Sequence, residues 1–242
     1  MPPGRRQSRA SETWIAAVVD LVWPADLAPY RVAFYLRPHV GGQESPLNRQ
    51  KKTYGLSAPR WVARLAFRGG YDGAPRFGEP DGFGARLDSL IADLEGGLNL
   101  AVFHDWRRPL PTAPLSVTGT VKSGGAAAGA TSMIVSGLAS NSRAFSIGDY
   151  IGGDGRPHIV SAAATIAAGG AISGAGSLVA DASGLVVVGF KPPLSAAIPV
   201  GAPLQWPVTG RFELVNTDDA GQNETEVGQP TEYLLEFAEK LA

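Results

Sequence analysis

Cysteine is absent from the 242 residues, which excludes disulfides, thiolate metal sites and a cysteine nucleophile and leaves the redox compartment open. An excess of one charge is also missing. Lys and Arg number 21 against 22 Asp and Glu, a net charge of −1, so the basic surplus of a general nucleic-acid binder is not there. No apolar run reaches the roughly 18 residues of a membrane span, because glycines and charges break every candidate. The basic stretch Met1–Arg9 is followed by no apolar run, so a secretory signal is not expected. Histidine is scarce, with only His39, His104 and His158. None is spaced with another as metal ligands are, and HExxH does not occur, so neither metal nor cofactor is expected. Glycine and proline are plentiful, at 31 and 19 residues, well above ordinary usage. They mark many turns and therefore many short strands, while a 44% hydrophobic content supplies a core.

Charge density divides the chain. Between Pro109 and Gln205 only seven of 97 residues are charged, against 36 of the other 145. The flanks resemble each other and the middle resembles neither, which predicts a small domain, residues 109–205, inserted into a larger one made of residues 1–108 and 206–242. Pro109, Pro111 and Pro114 on one side and Pro199, Pro203 and Pro207 on the other give the stiff junctions.

The outer domain alternates in the period of a strand. Tyr30, Val32, Phe34 and Leu36 form one set, Trp61, Ala63, Leu65 and Phe67 a second, and Leu98, Leu100 and Val102 a third. Phe212 with Leu214 starts a fourth, and Tyr233, Leu235 and Phe237 form a fifth. Phe83, Leu87, Leu90, Ile91 and Leu94 instead recur at helical spacing, between Asp81 and the Gly96-Gly97 stop. One helix across a twisted antiparallel sheet makes a mainly β protein with an α+β outer domain. The insert reads as a small β-sandwich or barrel, with strands at 115–121, 131–135, 149–152, 158–163 and 185–190. Its small-residue stretch Ala162–Gly176 is read as a tight β-roll, with a disordered linker as the other reading.

No chemistry-bearing motif holds up. His104-Asp105 are adjacent on a strand and point to opposite faces, and no GxSxG accompanies them. Gly152-Gly153-Asp154-Gly155 precedes a strand, not a helix, and reads as a hairpin turn. Asp218, Asp219, Glu224 and Glu226 do not follow the order of a calcium loop and read as a solvated loop. No catalytic residue is expected. Two long polar stretches carry more: Arg37–Arg60, with Arg49, Lys51, Lys52 and Arg60, and its acidic counterpart Thr217–Thr231. Long connections of this kind are often binding loops. Their opposite charge suggests that they meet between copies of the chain; two independent loops are the other reading.

Several segments in order resemble the distal tail proteins of long-tailed, non-contractile bacteriophages and of gene-transfer agents. They are Pro59–Leu65, the helix Phe83–Leu94, and the strand exit Phe103–Pro111. The hairpin Phe145–Ile151 with His158–Val160 follows, then Pro192–Leu194, Gly210–Leu214 and the closing Tyr233–Glu239. The resemblance implies a tail-tube-like sheet or split barrel that assembles as a ring, most plausibly a hexamer. It implies a place in the virion at the tail tip or baseplate, after assembly in the host cytoplasm. The implied partners are the tail tube, tape-measure and hub or fibre proteins, with no nucleic-acid specificity, no membrane insertion and no enzymatic role. The insert would project outward or toward the host surface. The alternative is a carbohydrate or host-receptor-binding module in the insert, although Phe145, Tyr150 and Phe190 are its only aromatics. A polysaccharide hydrolase would need two facing carboxyl groups, and the insert offers only Asp149, Asp154 and Asp181.

Overall fold

The computed structural model describes residues 18–69, 83–112, 119–122, 124–221 and 231–241. In chain order the elements are β1 (Asp20–Val22), β2 (Arg31–Glu44), β3 (Lys51–Gly69), α1 (Phe83–Asp93) and β4 (Leu100–His104). Then follow β5 (Thr120–Val121), β6 (Ser132–Ser136), β7 (Arg143–Ser146), β8 (Tyr150–Ile151), β9 (His158–Val160) and α2 (Ala162–Ala167). The chain continues with β10 (Ser177–Val179), β11 (Val186–Lys191), β12 (Thr209–Leu214), α3 (Thr217–Gly221) and β13 (Thr231–Glu239). The protein is mainly β, and its largest sheet is curled into a half-barrel.

That sheet has six strands in the order β1-β4-β12-β13-β3-β2, drawn from both sides of the charge-poor segment. Trp61, Ala63, Leu65 and Phe67 of β3 share its inner face with Phe34 of β2, Phe212 and Leu214 of β12, and Tyr233, Leu235 and Phe237 of β13. Phe103 and Phe212 stack at 4.2 Å, and Leu87, Leu90 and Leu94 of α1 close this core. The helix matches the spacing of its apolar residues, and its stop matches Gly96-Gly97; Asp81 lies outside the described residues.

Three expectations about this sheet need correction. One pairing, β1 with β4, is parallel, because the chain passes through β2, β3 and α1 before returning beside β1. In β4 the residues facing the core are Ala101 and Phe103, set by the register of Ala101 opposite Phe212. Leu100 and Val102 therefore lie on the other face. The polar stretch Arg37–Arg60 is not a loop. It is the outer half of the β2–β3 hairpin, paired almost to its tip. With both faces in water such a ribbon needs no apolar alternation, so its sequence hides its structure.

The remaining strands, all within the charge-poor segment, form a five-stranded sheet, β5-β6-β11-β9-β8, and a two-stranded one, β10-β7. Val135, Phe145, Ile151, Val160, Leu178, Val188 and Phe190 build the second core. The stretch Ala162–Gly176 is not a β-roll: Ala-Ala-Ala-Thr-Ile-Ala winds into α2, as its alanines favour. Strands β7 and β10, which alternation did not reveal, pair beside it. Helix α2 lies directly on β11, where a Cβ at Gly189 would come within 2.1 Å of the Ala164 carbonyl carbon. Gly189→Ala should therefore push α2 off the sheet and cost about 2–3 kcal/mol. Urea unfolding checks this, with a lowered midpoint expected.

Candidate functional site

Two polar locks join the insert to the half-barrel. Asp105, at the end of β4, is buried and accepts two hydrogen bonds from Arg107 Nε, at 3.0 and 3.2 Å, and one from Arg107 Nη2 at 2.8 Å. Tyr150 of β8 donates its hydroxyl to the same carboxylate at 3.0 Å. Arg107 also donates to the Phe34 carbonyl at 2.6 Å, so the end of β4 reaches across to β2 where the sheet curls. Hydrogen bonding to Asp105 raises the Arg107 pKa. Burial, with the nearby Asp105 charge, raises that of Tyr150. The Tyr150 ring packs against Phe34 and Trp61, so a residue of the insert completes the core of the outer sheet.

The second lock comes from the turn between β8 and β9, the hairpin turn expected at Gly152–Gly155. Its Arg156 enters the half-barrel and binds Glu239 in a fork, Nε to Oε1 at 2.8 Å and Nη2 to Oε2 at 2.7 Å. The two side chains are 5% and 2% exposed. Arg156 Nη2 also donates to Pro59 O at 3.0 Å, the Trp61 N–H donates to Glu239 at 2.9 Å, and Trp61 Nε1 donates to Pro157 O at 2.6 Å. Glu239 sits on the inner face opposite Phe212. Both Glu239 oxygens and the Nε and Nη2 of Arg156 therefore have partners, the condition for such a buried pair to persist. Nothing in the sequence separates Arg156 from a turn arginine, since its partner is 83 residues away.

The insert's carboxylates are all engaged. Asp149 accepts from the Ser146 N–H at 2.8 Å and from the Thr112 N–H and hydroxyl. Asp181 accepts from the N–H groups of Ser183 and Leu185. Asp154 lies 2.7 Å from His158 Nε2 and accepts from the Ser195 N–H and hydroxyl at 2.7 and 2.9 Å. Ser, Asp and His thus meet, but in the wrong order for a nucleophile. The serine donates to the aspartate, while His158 Nδ1 faces the Pro192 carbonyl at 2.7 Å, so no imidazole is placed to take the hydroxyl proton. Burial alone would raise the Asp154 pKa, but His158 and Ser195 outweigh it and hold it at about 2, against an ordinary 3.8. His104 is turned beside Trp106, and burial lowers its pKa. Phe145, Tyr150 and Phe190 are all buried, so none of them offers a face to a sugar. Among the described residues no group of three or more His, Asp or Glu is placed to hold a metal. Nor is any helix among them long and apolar enough to cross a membrane.

The basic residues of Arg37–Arg60 fall on the hairpin arm. Arg49 lies in its tip turn, Lys51 and Lys52 pair with Glu44 and Gln43, and Arg60 stands opposite Arg37 at the base. Like charges directly opposed are unfavourable. Val40, Leu47, Tyr54 and Leu56 are exposed along the arm, and the Tyr54 ring lies across Gly41 of the other strand. Asp218 and Asp219 are exposed on α3, a short helix where a loop was expected; Glu224 and Glu226 lie outside the described residues. The β3–β13 register puts α3 near the Gly69 end of the sheet and the arm beyond the Arg60 end. The structure therefore does not bring the basic and acidic residues together within one chain. On the outer face of the half-barrel, Val62 and Ala66 are buried at 7% and 2%. Tyr35 and Leu234, which flank them, are exposed on that face.

Glu239→Gln should cost about 3–5 kcal/mol by stranding Arg156, and the pair Arg156→Met with Glu239→Leu should recover most of it; a double-mutant cycle in urea measures both. The folded pKa of Asp154 is below its unfolded value, so its stabilisation is full above about pH 4 and lost as pH falls toward 2. Acid unfolding followed by circular dichroism should become shallower there in Asp154→Asn. No family model matches the chain, and no curated protein matches it in sequence.

Proposed function

We propose that the protein is a ring-forming structural subunit at the tail tip of a long-tailed, non-contractile bacteriophage. In this reading it joins the tail tube to the hub or host-recognition apparatus in the virion. One observation carries it: a curled sheet built from both sides of the charge-poor segment extends two of its strands into an arm that is exposed on both faces among the described residues. From Arg60 to Lys51 the arm reaches about 30 Å at the usual strand rise. A two-stranded ribbon is marginal by itself, and a subunit that must grip its neighbour is where such a ribbon gains its contacts. Arm and acidic helix stand apart on the subunit, as head-to-tail contacts require, and such contacts close into a ring when the rotation per subunit allows. Opposite charge on the two surfaces sets the register of that contact. The insert, held stiffly by Arg156 and Tyr150, then projects from each subunit at a constant angle. Copies of the chain are the first partners, and the tube, tape-measure and hub proteins are those above and below.

Sedimentation and negative-stain microscopy of the purified protein test this reading, with immunolabelling of phage particles. A closed oligomer, six copies by the resemblance, and label at the tail tip are expected. Replacing residues 39–57 by a short glycine turn should leave a folded monomer. A protein that stays monomeric at all concentrations and is absent from particles contradicts the reading.

A further inference from the structure

We propose that the tip of the arm seats Leu47 in a cleft on the next copy of the chain. This rests on the ring reading and names the contact that would build it. The tip is a hydrogen-bonded turn, with the Ser45 N–H on Gln50 O and the Arg49 N–H on Ser45 O, both at 2.9 Å. It holds Leu47 out at 96% exposure, beyond every other large apolar side chain among the described residues. Arg49, Lys51 and Lys52 follow within five residues, and with Glu44 opposite Lys51 the tip is net basic.

A cleft with complementary features lies on the other side of the sheet. It measures about 400 Å³, where a cavity of roughly 150 Å³ accepts a benzene ring. Val18, Leu98 and Leu100 give it apolar walls, and Glu95, Glu213 and Lys240 edge it. Glu213 and Lys240 pair with each other at 2.9 Å, which leaves Glu95 in excess. Asp218 and Asp219 stand nearby on α3, which packs against the 3₁₀ turn Glu95–Gly97 that forms one wall. The wall is built close: Gly97 has φ +92°, and a Cβ there would come within 2.7 Å of Leu214 O. A leucine at a net basic tip thus has as its counterpart a hollow with apolar walls and a net acidic edge.

The two surfaces cannot satisfy each other in one chain. The arm leaves from β2–β3 at one edge of the sheet, and the cleft opens beside β1, β4 and β12 at the other. Between copies the same separation is what a head-to-tail contact uses, each subunit giving its arm and receiving another. Leu47 is then the anchor, with charged residues around it excluding water and setting register.

The chain has no cysteine of its own, so engineered pairs report cleanly. Full-length protein carrying both Leu47→Cys and Leu98→Cys should give a ladder of covalent multimers on mild oxidation, and neither single variant should go beyond dimers. Leu47→Asp should weaken self-association on the order of tenfold or more with unchanged thermal unfolding. Lys52→Glu should weaken it too, and Glu95→Lys should restore it. If Leu47→Asp associates like wild type, or an oligomer persists without a ladder, the Leu47 contact is wrong while the ring reading stands. If wild type never self-associates, both fail.

Discussion

A strand pair with water on both faces has no side-chain burial to hold it, so the core of its own subunit sets only the direction in which its strands continue. Here β3 runs without a break from Lys51 to Gly69. Its second half is the most buried strand of the half-barrel, with Ala63, Leu65 and Phe67 fully covered between β2 and β13. The ladder hydrogen bonds that place those residues in the core also aim the first half of the strand outward. A change in the core register would swing the arm, because a slip of one residue turns every side chain to the other face. Core and arm are one continuous pair of strands, with register shifts at Arg37/His39 and His39/Val40 where the arm begins, and the function read from the arm presupposes the packing of Trp61 to Phe67.

The insert is tied to the same piece. Trp61 of β3 donates to Pro157 of the insert, and its backbone N–H donates to the glutamate that receives Arg156. Trp206 packs against both hydrophobic cores and donates to the Tyr150 carbonyl. The carboxylates are engaged in hydrogen bonds, Asp105 between the two modules and Asp149 and Asp154 within the insert. Asp149 caps the hairpin before β8, Asp154 fixes His158 and Ser195, and Asp105 holds Arg107 and Tyr150. This pattern suits a scaffold, in which the angle between modules has to be constant from one copy to the next.

The parts of the fold legible in the sequence are those where burial imposes a period. Leu87, Leu90 and Leu94 marked the helix, and Trp61, Ala63, Leu65 and Phe67 marked the central strand. Three things were not legible, each for its own reason. The arm has no buried face, so its strands carry no alternation and read as a polar connection. Helix α2 is too short for a period, and its alanines resemble a linker. Arg156 and Glu239 are ordinary charges until folding brings residues 83 positions apart into contact. The basic and acidic groups were found from charge alone, but their places at opposite ends of the sheet required the register. The cleft of Val18, Leu98 and Leu100 has no signature along the chain, since its walls come from separate elements.

Hydrogen–deuterium exchange measured across protein concentration tests the central claim directly, that the arm is ordered by a neighbouring copy. Amides of residues 39–57 should be poorly protected at high dilution and gain protection as concentration rises, while those of Trp61–Phe67 stay protected throughout. Arm amides that exchange at the same rate at every concentration would contradict it.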